Sequence, residues 1–72
     1  MTELVEFLVK KLAEHKDEVE ITQDGDVITV ALVKSDMGKV IGKQGKIIKA
    51  IRTIIKAKAD GKKVSVEVVE KD

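Results

Sequence analysis

Val40-Ile41-Gly42-Lys43-Gln44-Gly45-Lys46-Ile47-Ile48 holds two glycines three apart, between a short apolar run and the start of a longer amphipathic one. The stretch reads as the end of one helix, a tight loop and the start of a second helix. Glycine has no Cβ, so Gly42 and Gly45 can take positive φ and let another backbone come close, while Lys43, Gln44 and Lys46 set two cations and an amide around that bare backbone. Free N–H groups at the start of the following helix add partial positive charge, which makes the loop a natural seat for a phosphate. A glycine-bounded turn also needs no ligand, so Gly42 to Gly45 taken alone leave a binding loop and a plain turn equally open.

Downstream, the second helix runs from about Lys46 to Lys58. It sets Ile47, Ile48, Ala50, Ile51, Ile54, Ile55 and Ala57 on one arc and Lys49, Arg52, Thr53 and Lys56 opposite, a core face and a basic face. Asp60-Gly61 stops it, and Val64, Val66 and Val68 alternate with Ser65 and Glu67 as a last strand before a frayed tail, Glu70 to Asp72. Upstream, Ser35 or Asp36 caps a short helix that carries Met37, Val40 and Ile41 and ends at Gly42. Val27 to Val33, apolar except for Thr29, is a central strand with Ile28, Val30 and Leu32 on one side and Val27, Ala31 and Val33 on the other. The Asp24-Gly25 turn signal joins it to a more polar edge strand, Glu18 to Gln23, whose Val19 and Ile21 face the core. Thr2 caps an opening helix in which Leu4, Phe7, Leu8 and Leu12 recur at helical spacing and Val5 and Val9 widen the stripe. Lys10, Lys11 and His15 fall toward its C-terminal end, where His15 reads as a surface residue.

The order is helix, strand, strand, helix, helix, strand. A two-helix crossover after the second strand places the last strand parallel beside it, so the expectation is an α+β fold. Its mixed three-stranded sheet is ordered first, second, third, with helices packed on one face. Val27, Ala31, Val33 and Val69 then form an apolar strip on the open face, a surface suited to self-association or docking.

Seventy-two residues make one domain, 1–72, of a size that buries only roughly 60% of the surface exposed when unfolded. With no cysteine there is neither a disulfide nor a thiolate metal site, and charges interrupt every apolar run long before the roughly 18 residues a membrane span needs. The expected place is the cytoplasm, with no membrane association and no cofactor or metal. Net charge is only +1, but it is segregated. Lys34 to Lys63 holds ten Lys or Arg against two acids, Met1 to Val33 three against eight, and Val64 to Asp72 one against three. That basic middle, centred on the glycine loop, attracts polyanions although the whole is nearly neutral.

With these residues in place, the chain resembles the KH domain, an RNA-binding module with a Gly-x-x-Gly loop between two helices that clamps the backbone of about four nucleotides. The αββααβ order is similar to the type II arrangement. The run Asp36-Met37-Gly38-Lys39-Val40-Ile41-Gly42-Lys43-Gln44-Gly45, with the length and the acidic opening helix, resembles the small bacterial single-KH proteins of the KhpA family. The resemblance implies that Gly42 and Gly45 keep the loop open to the sugar-phosphate backbone, that Lys43 and Gln44 lie against phosphates, and that Lys46 reinforces that edge. It offers Met37, Val40, Ile41, Ile48 and Ile51 as an aliphatic groove wall under the bases, Ile48 and Ile51 serving equally well as core. Lys39, Lys49 and Arg52 either track flanking phosphates or are plain surface cations. The family's opposite rim comes from the final strand and the loop before it, here Ala59 to Lys63, and so short a loop implies modest base discrimination.

One phenylalanine and no tryptophan or tyrosine weigh against modules that read single strands by aromatic stacking. A nucleotide-phosphate enzyme is excluded on inventory. Only three residues separate Gly38 from Gly42, Lys46 is followed by Ile47 where a Walker loop has Ser or Thr, and the acids avoid the basic segment. The expected function is single-stranded RNA binding, with single-stranded DNA as a further ligand, in RNA chaperoning or post-transcriptional regulation. The alternative is a protein-interaction module with secondary RNA binding. The resemblance implies, as partners, a second copy or a larger KH-containing RNA-binding protein.

Overall fold

Alternation within the apolar run after the hairpin sets the centre of the molecule. Ile28, Val30 and Leu32 project from one face of a strand and have no exposed surface, whereas Val27, Thr29 and Ala31 on the other face are half-buried. In the computed structural model, which describes residues 1–71, this strand is β2 (Val27–Leu32). Around it lie α1 (Thr2–Leu12), β1 (Glu20–Asp24), α2 (Lys34–Ile41), α3 (Lys46–Ala59) and β3 (Ser65–Glu70), with single 3₁₀ turns at Lys16–Glu18 and Lys43–Gly45. The α+β class and the expected order of elements are those observed.

The sheet is ordered β1-β2-β3, with β1 antiparallel and β3 parallel to β2, as a two-helix crossover between β2 and β3 requires. Asp24 pairs with Val27, so the hairpin loop is Gly25-Asp26, and the φ of 59° at Gly25 suits the first position of a type II′ turn. Val5 and Val9 from α1, Val40 from α2, and Ile48, Ile51 and Ile55 from α3 close over Ile28, Val30, Leu32 and Val66. Full burial of each such side chain contributes roughly 1.5–3 kcal/mol.

Several local expectations are corrected by packing. Thr2 is the first residue of α1 and not its cap: Met1 holds that position, and its carbonyl accepts from the Val5 N–H at 3.2 Å. Ser35 and Asp36 lie inside α2, with Val33 at the cap position and its carbonyl accepting from the Asp36 N–H at 2.9 Å. The buried stripe of α1 is centred on Val5 and Val9 and flanked by Leu4, Leu8 and Leu12. Phe7 sits two residues from each valine, about 200° round the helix, and is therefore exposed. Glu18 belongs to the 3₁₀ turn and β1 starts at Glu20, although Val19 and Ile21 pack against the core as expected.

On α3 the buried stripe is Ile48, Ile51, Ile55 and Ala59, while Ala50, Ile54 and Ala57 face outward. The apolar arc is wider than its neighbours can cover. The strip expected on the open sheet face is also broken. Register places Thr22, Thr29 and Glu67 in one row, between a row of Glu20, Ala31 and Val69 and a row of Asp24, Val27 and Ser65. Glu70 ends β3, and Lys71 is fastened instead of frayed: its N–H donates to the Leu32 carbonyl at 2.7 Å and its ammonium pairs with Glu20 and Glu18. The hydrogen bond to Glu20 holds the Lys71 pKa above the ordinary lysine value. Asp72, the rest of the expected tail, lies outside the described residues. Among the described residues no helix is long and apolar enough to cross a membrane.

Candidate nucleic-acid interface

The glycine loop is built from two glycines that do different things. α2 ends where the Gly42 N–H donates to the Gly38 carbonyl at 2.9 Å, and Gly42 itself takes φ 78° and ψ 173°, a region open essentially to glycine alone. A Cβ placed there would also stand 2.6 Å from Ile47 Cγ1, because Ile47 packs directly on the Gly42 Cα. Gly45 takes φ 73° and ψ 17°, an ordinary left-handed conformation, and a Cβ there meets nothing nearer than Ile48 Cγ2 at 3.9 Å. Between them Gln44 is also left-handed, at φ 58° and ψ 24°, a strained conformation for a residue with a side chain. The Gly45 N–H closes the turn onto the Gly42 carbonyl at 3.1 Å.

α3 begins at once: the Lys46 N–H donates to the Lys43 carbonyl, and the first turn carries no side-chain cap and no acid, so no side chain on the helix itself offsets the partial positive charge at its start. Lys43, Gln44 and Lys46 around this point are exposed. Beyond it, Gly45, Lys49, Arg52 and Lys56 follow at intervals of four, three and four, which aligns them along one side of α3. Among the described residues, the ion pairs involve none of Lys43, Lys46, Lys49, Arg52 or Lys56. The stripe runs into a cleft of about 280 Å³ between α3 and β3, lined by Arg52, Lys56 and Val64 to Glu67. There Arg52 Nε donates to the Val66 carbonyl at 3.0 Å, so the guanidinium spans the cleft instead of standing free.

The structure separates the other expected site residues by depth. Met37 and Ile41 are half-buried and keep a face toward solvent, whereas Val40 has no exposed surface and Ile48 and Ile51 keep only 6% and 4%. Those three support the wall from within the core and touch nothing outside it. Lys39 is drawn away from the loop: its ammonium sits 2.7 Å from Glu14 Oε2 and 3.9 Å from Asp36 Oδ1. The hydrogen bond from Lys39 holds the Glu14 carboxyl below its usual range, and the same bond raises the lysine. Of the far rim expected from the final strand and the loop before it, the strand side lines the cleft, Val64 to Glu67, whereas Ala59 of the loop is buried. The available signal was the parallel placement of β3, which turns its unpaired edge toward α3.

An αββααβ fold with a Gly-x-x-Gly turn between α2 and α3 is the type II KH arrangement, and the profile of the KhpA/KhpB KH-domain family matches residues 2–69. The chain belongs to the KhpA/KhpB KH-domain family. It is 43% identical over 75 residues to the RNA-binding protein KhpA of Clostridium perfringens, covering 96% of this chain and all of that one. It is 41% identical over 76 residues to KhpA of Listeria monocytogenes, covering 97% of this chain and 100% of the relative. For KhpA of Aquifex aeolicus the identity is 40% over 76 residues, with 97% and 96% covered. No solved structure matches the chain. The Gly42–Gly45 turn joins α2 to α3, and the stripe on α3, without an ion pair among the described residues, extends from it.

Proposed function

We propose that this chain binds RNA, as single strands, through the Gly42–Gly45 loop and the groove that continues along α3 to β3. The observation that carries this reading is the line of Gly45, Lys49, Arg52 and Lys56, free of ion pairs among the described residues, leading from a helix start without a side-chain cap to a cleft between α3 and β3. Backbone N–H groups at the loop and the N-terminus of α3 receive phosphate oxygens, and Lys43, Gln44 and Lys46 hold the charged thread in place. Met37 and Ile41 offer shallow apolar contact to the bases. Affinity then comes mostly from phosphates, so sequence preference is low and single-stranded DNA competes, as suits an RNA chaperone or post-transcriptional regulator in the cytoplasm. No step of this needs a cofactor or a reaction.

The test is direct. Lys43→Asp combined with Gln44→Asp should abolish binding to unstructured oligoribonucleotides while leaving the circular dichroism spectrum unchanged. Retained affinity removes the loop from the site. That outcome favours the second reading, a protein-interaction module in which RNA binding is secondary. Phe7 at 57% exposure and Ile54 at 42% are the observations behind it. Pairing with a second copy or with a larger KH protein is compatible with both readings, since joined domains bind one strand with higher avidity.

A further inference from the structure

We propose that Asp36 is a positioning residue for the glycine loop, fastening the first turn of α2 to the connector behind α1 and so fixing the direction in which α2 delivers Gly42–Gly45. That the loop then holds RNA is the reading above, on which the functional half of this proposal rests.

Asp36 is the one buried polar or charged residue among those described. Its carboxylate does not serve its own helix. Oδ1 accepts from the Glu14 N–H at 3.1 Å, and Oδ2 accepts from the His15 N–H at 2.9 Å and meets His15 Nδ1 at 3.2 Å. Both amides lie after α1 has ended and before the Lys16–Glu18 turn, outside any helical ladder, so without Asp36 two backbone donors would lose their partner. Burial pushes the Asp36 carboxyl up, but the His15 and Glu14 amides and the His15 ring outweigh it and hold the group below the usual aspartate range. A carboxylate is acceptor-only and matches these donors, whereas the amide of asparagine would turn an N–H₂ group toward one of them.

Lys39, one turn on, reaches Glu14 from the same side of α2, so two straps join this helix to the same connector. α2 has only eight residues. Asp36 and Gly42 are about 9 Å apart along its axis, so a tilt of about 10° at the clasp moves the loop by about 1.5 Å, beyond the roughly 0.5 Å that a preorganised site tolerates. Met37, Val40 and Ile41 hold the C-terminal half of α2 against the core, whereas the buried group in its first turn is Asp36, so the clasp fixes the end of the rod that the apolar contacts leave free to tilt.

The experiment compares Asp36→Asn with Val9→Ala, a core change of α1 that weakens the fold without touching the clasp. In the free protein, Asp36→Asn should displace the amide NMR signals of Gly42 to Lys46 and speed their hydrogen exchange, while Val9→Ala leaves them in place. If the binding-competent loop orientation drops to about 10–20% of the population, the Kd for an unstructured oligoribonucleotide rises roughly five- to tenfold. Loop signals and affinity unchanged in Asp36→Asn, or changed equally by Val9→Ala, overturn the proposal. If the unaltered protein fails to bind the oligonucleotide, the RNA reading falls, and the free-protein spectra alone decide the positioning role. Should Asp36→Asn not fold, Glu14→Gln loosens the second strap, and the same loop signals should shift by less in the same direction; loop signals left unmoved overturn the proposal there too.

Discussion

Replacing the two glycines of the loop one at a time should give unequal results, although the motif treats them alike. Alanine at position 42 must hold φ 78° and ψ 173°, which costs about 1–3 kcal/mol, and its Cβ would stand 2.6 Å from Ile47 Cγ1 and 2.9 Å from Cβ and Cδ1. Overpacking of that kind adds about 1–3 kcal/mol. The two together come to about 2–6 kcal/mol, against a total stability of about 4–11 kcal/mol for a chain of this length. Asparagine at position 45 needs only the left-handed region, which it enters readily, and its Cβ meets nothing nearer than Ile48 Cγ2 at 3.9 Å, so its cost is about 1 kcal/mol or less. Urea unfolding followed by far-ultraviolet circular dichroism measures both. Gly42→Ala should lose a large share of the folding free energy, and Gly45→Asn should stay near the parent. Ile47→Ala removes two of the three close contacts and should recover about 1 kcal/mol of the Gly42→Ala loss in a double-mutant cycle. Equal losses at the two positions, or no coupling to Ile47, would refute the loop geometry and the packing argument.

Three further outcomes are expected. If about three phosphates are neutralised, the plot of log K against log salt for single-stranded RNA should have a slope of roughly −2, and Lys43→Ala should make it shallower by about 0.7. Ile55→Ala empties a side chain with 1% exposure at the centre of the core and should cost about 2–5 kcal/mol in urea titration, a large share of the total stability. Because the Asp36 and Glu14 carboxyls are held down in the folded chain, their stabilisation is complete above the unfolded carboxylate range of about 4 and is lost as pH falls below it toward the folded values. Asp36→Asn should therefore flatten the acid limb of a melting-temperature profile, and an unaltered limb would contradict the clasp.

Much of this molecule is written in short-range chemistry. Alternation at Ile28, Val30 and Leu32, the Asp24-Gly25 turn, the stop at Asp60-Gly61 and the two glycines flanking Lys43-Gln44 each depend on neighbours a few residues away. A two-helix crossover leaves few places for β3. These features determine the element order, the parallel pairing of β3 and the position of the loop. Helical periodicity, however, gives an angle and not a neighbour. It could not say that Val5 and Val9 face inward while Phe7 does not, or that Ile54 stays outside an arc it shares with Ile51 and Ile55.

The same limit applies to the site. Lys39 and Lys43 look equivalent in the chain, but only the folded molecule brings Glu14, 25 residues away in sequence, against the first and leaves the second without an ion pair among the described residues. Val40 and Ile41 are adjacent, and the sheet beneath decides which one reaches solvent. Asp36 looks like a cap for its own helix because capping is a local rule, whereas its actual partners are 21 and 22 residues away. By itself the sequence determined where the backbone turns and which segments carry charge. Tertiary structure decided which charges are already neutralised and which apolar residues are covered, because pairing and burial depend on contacts between distant segments that no local pattern encodes.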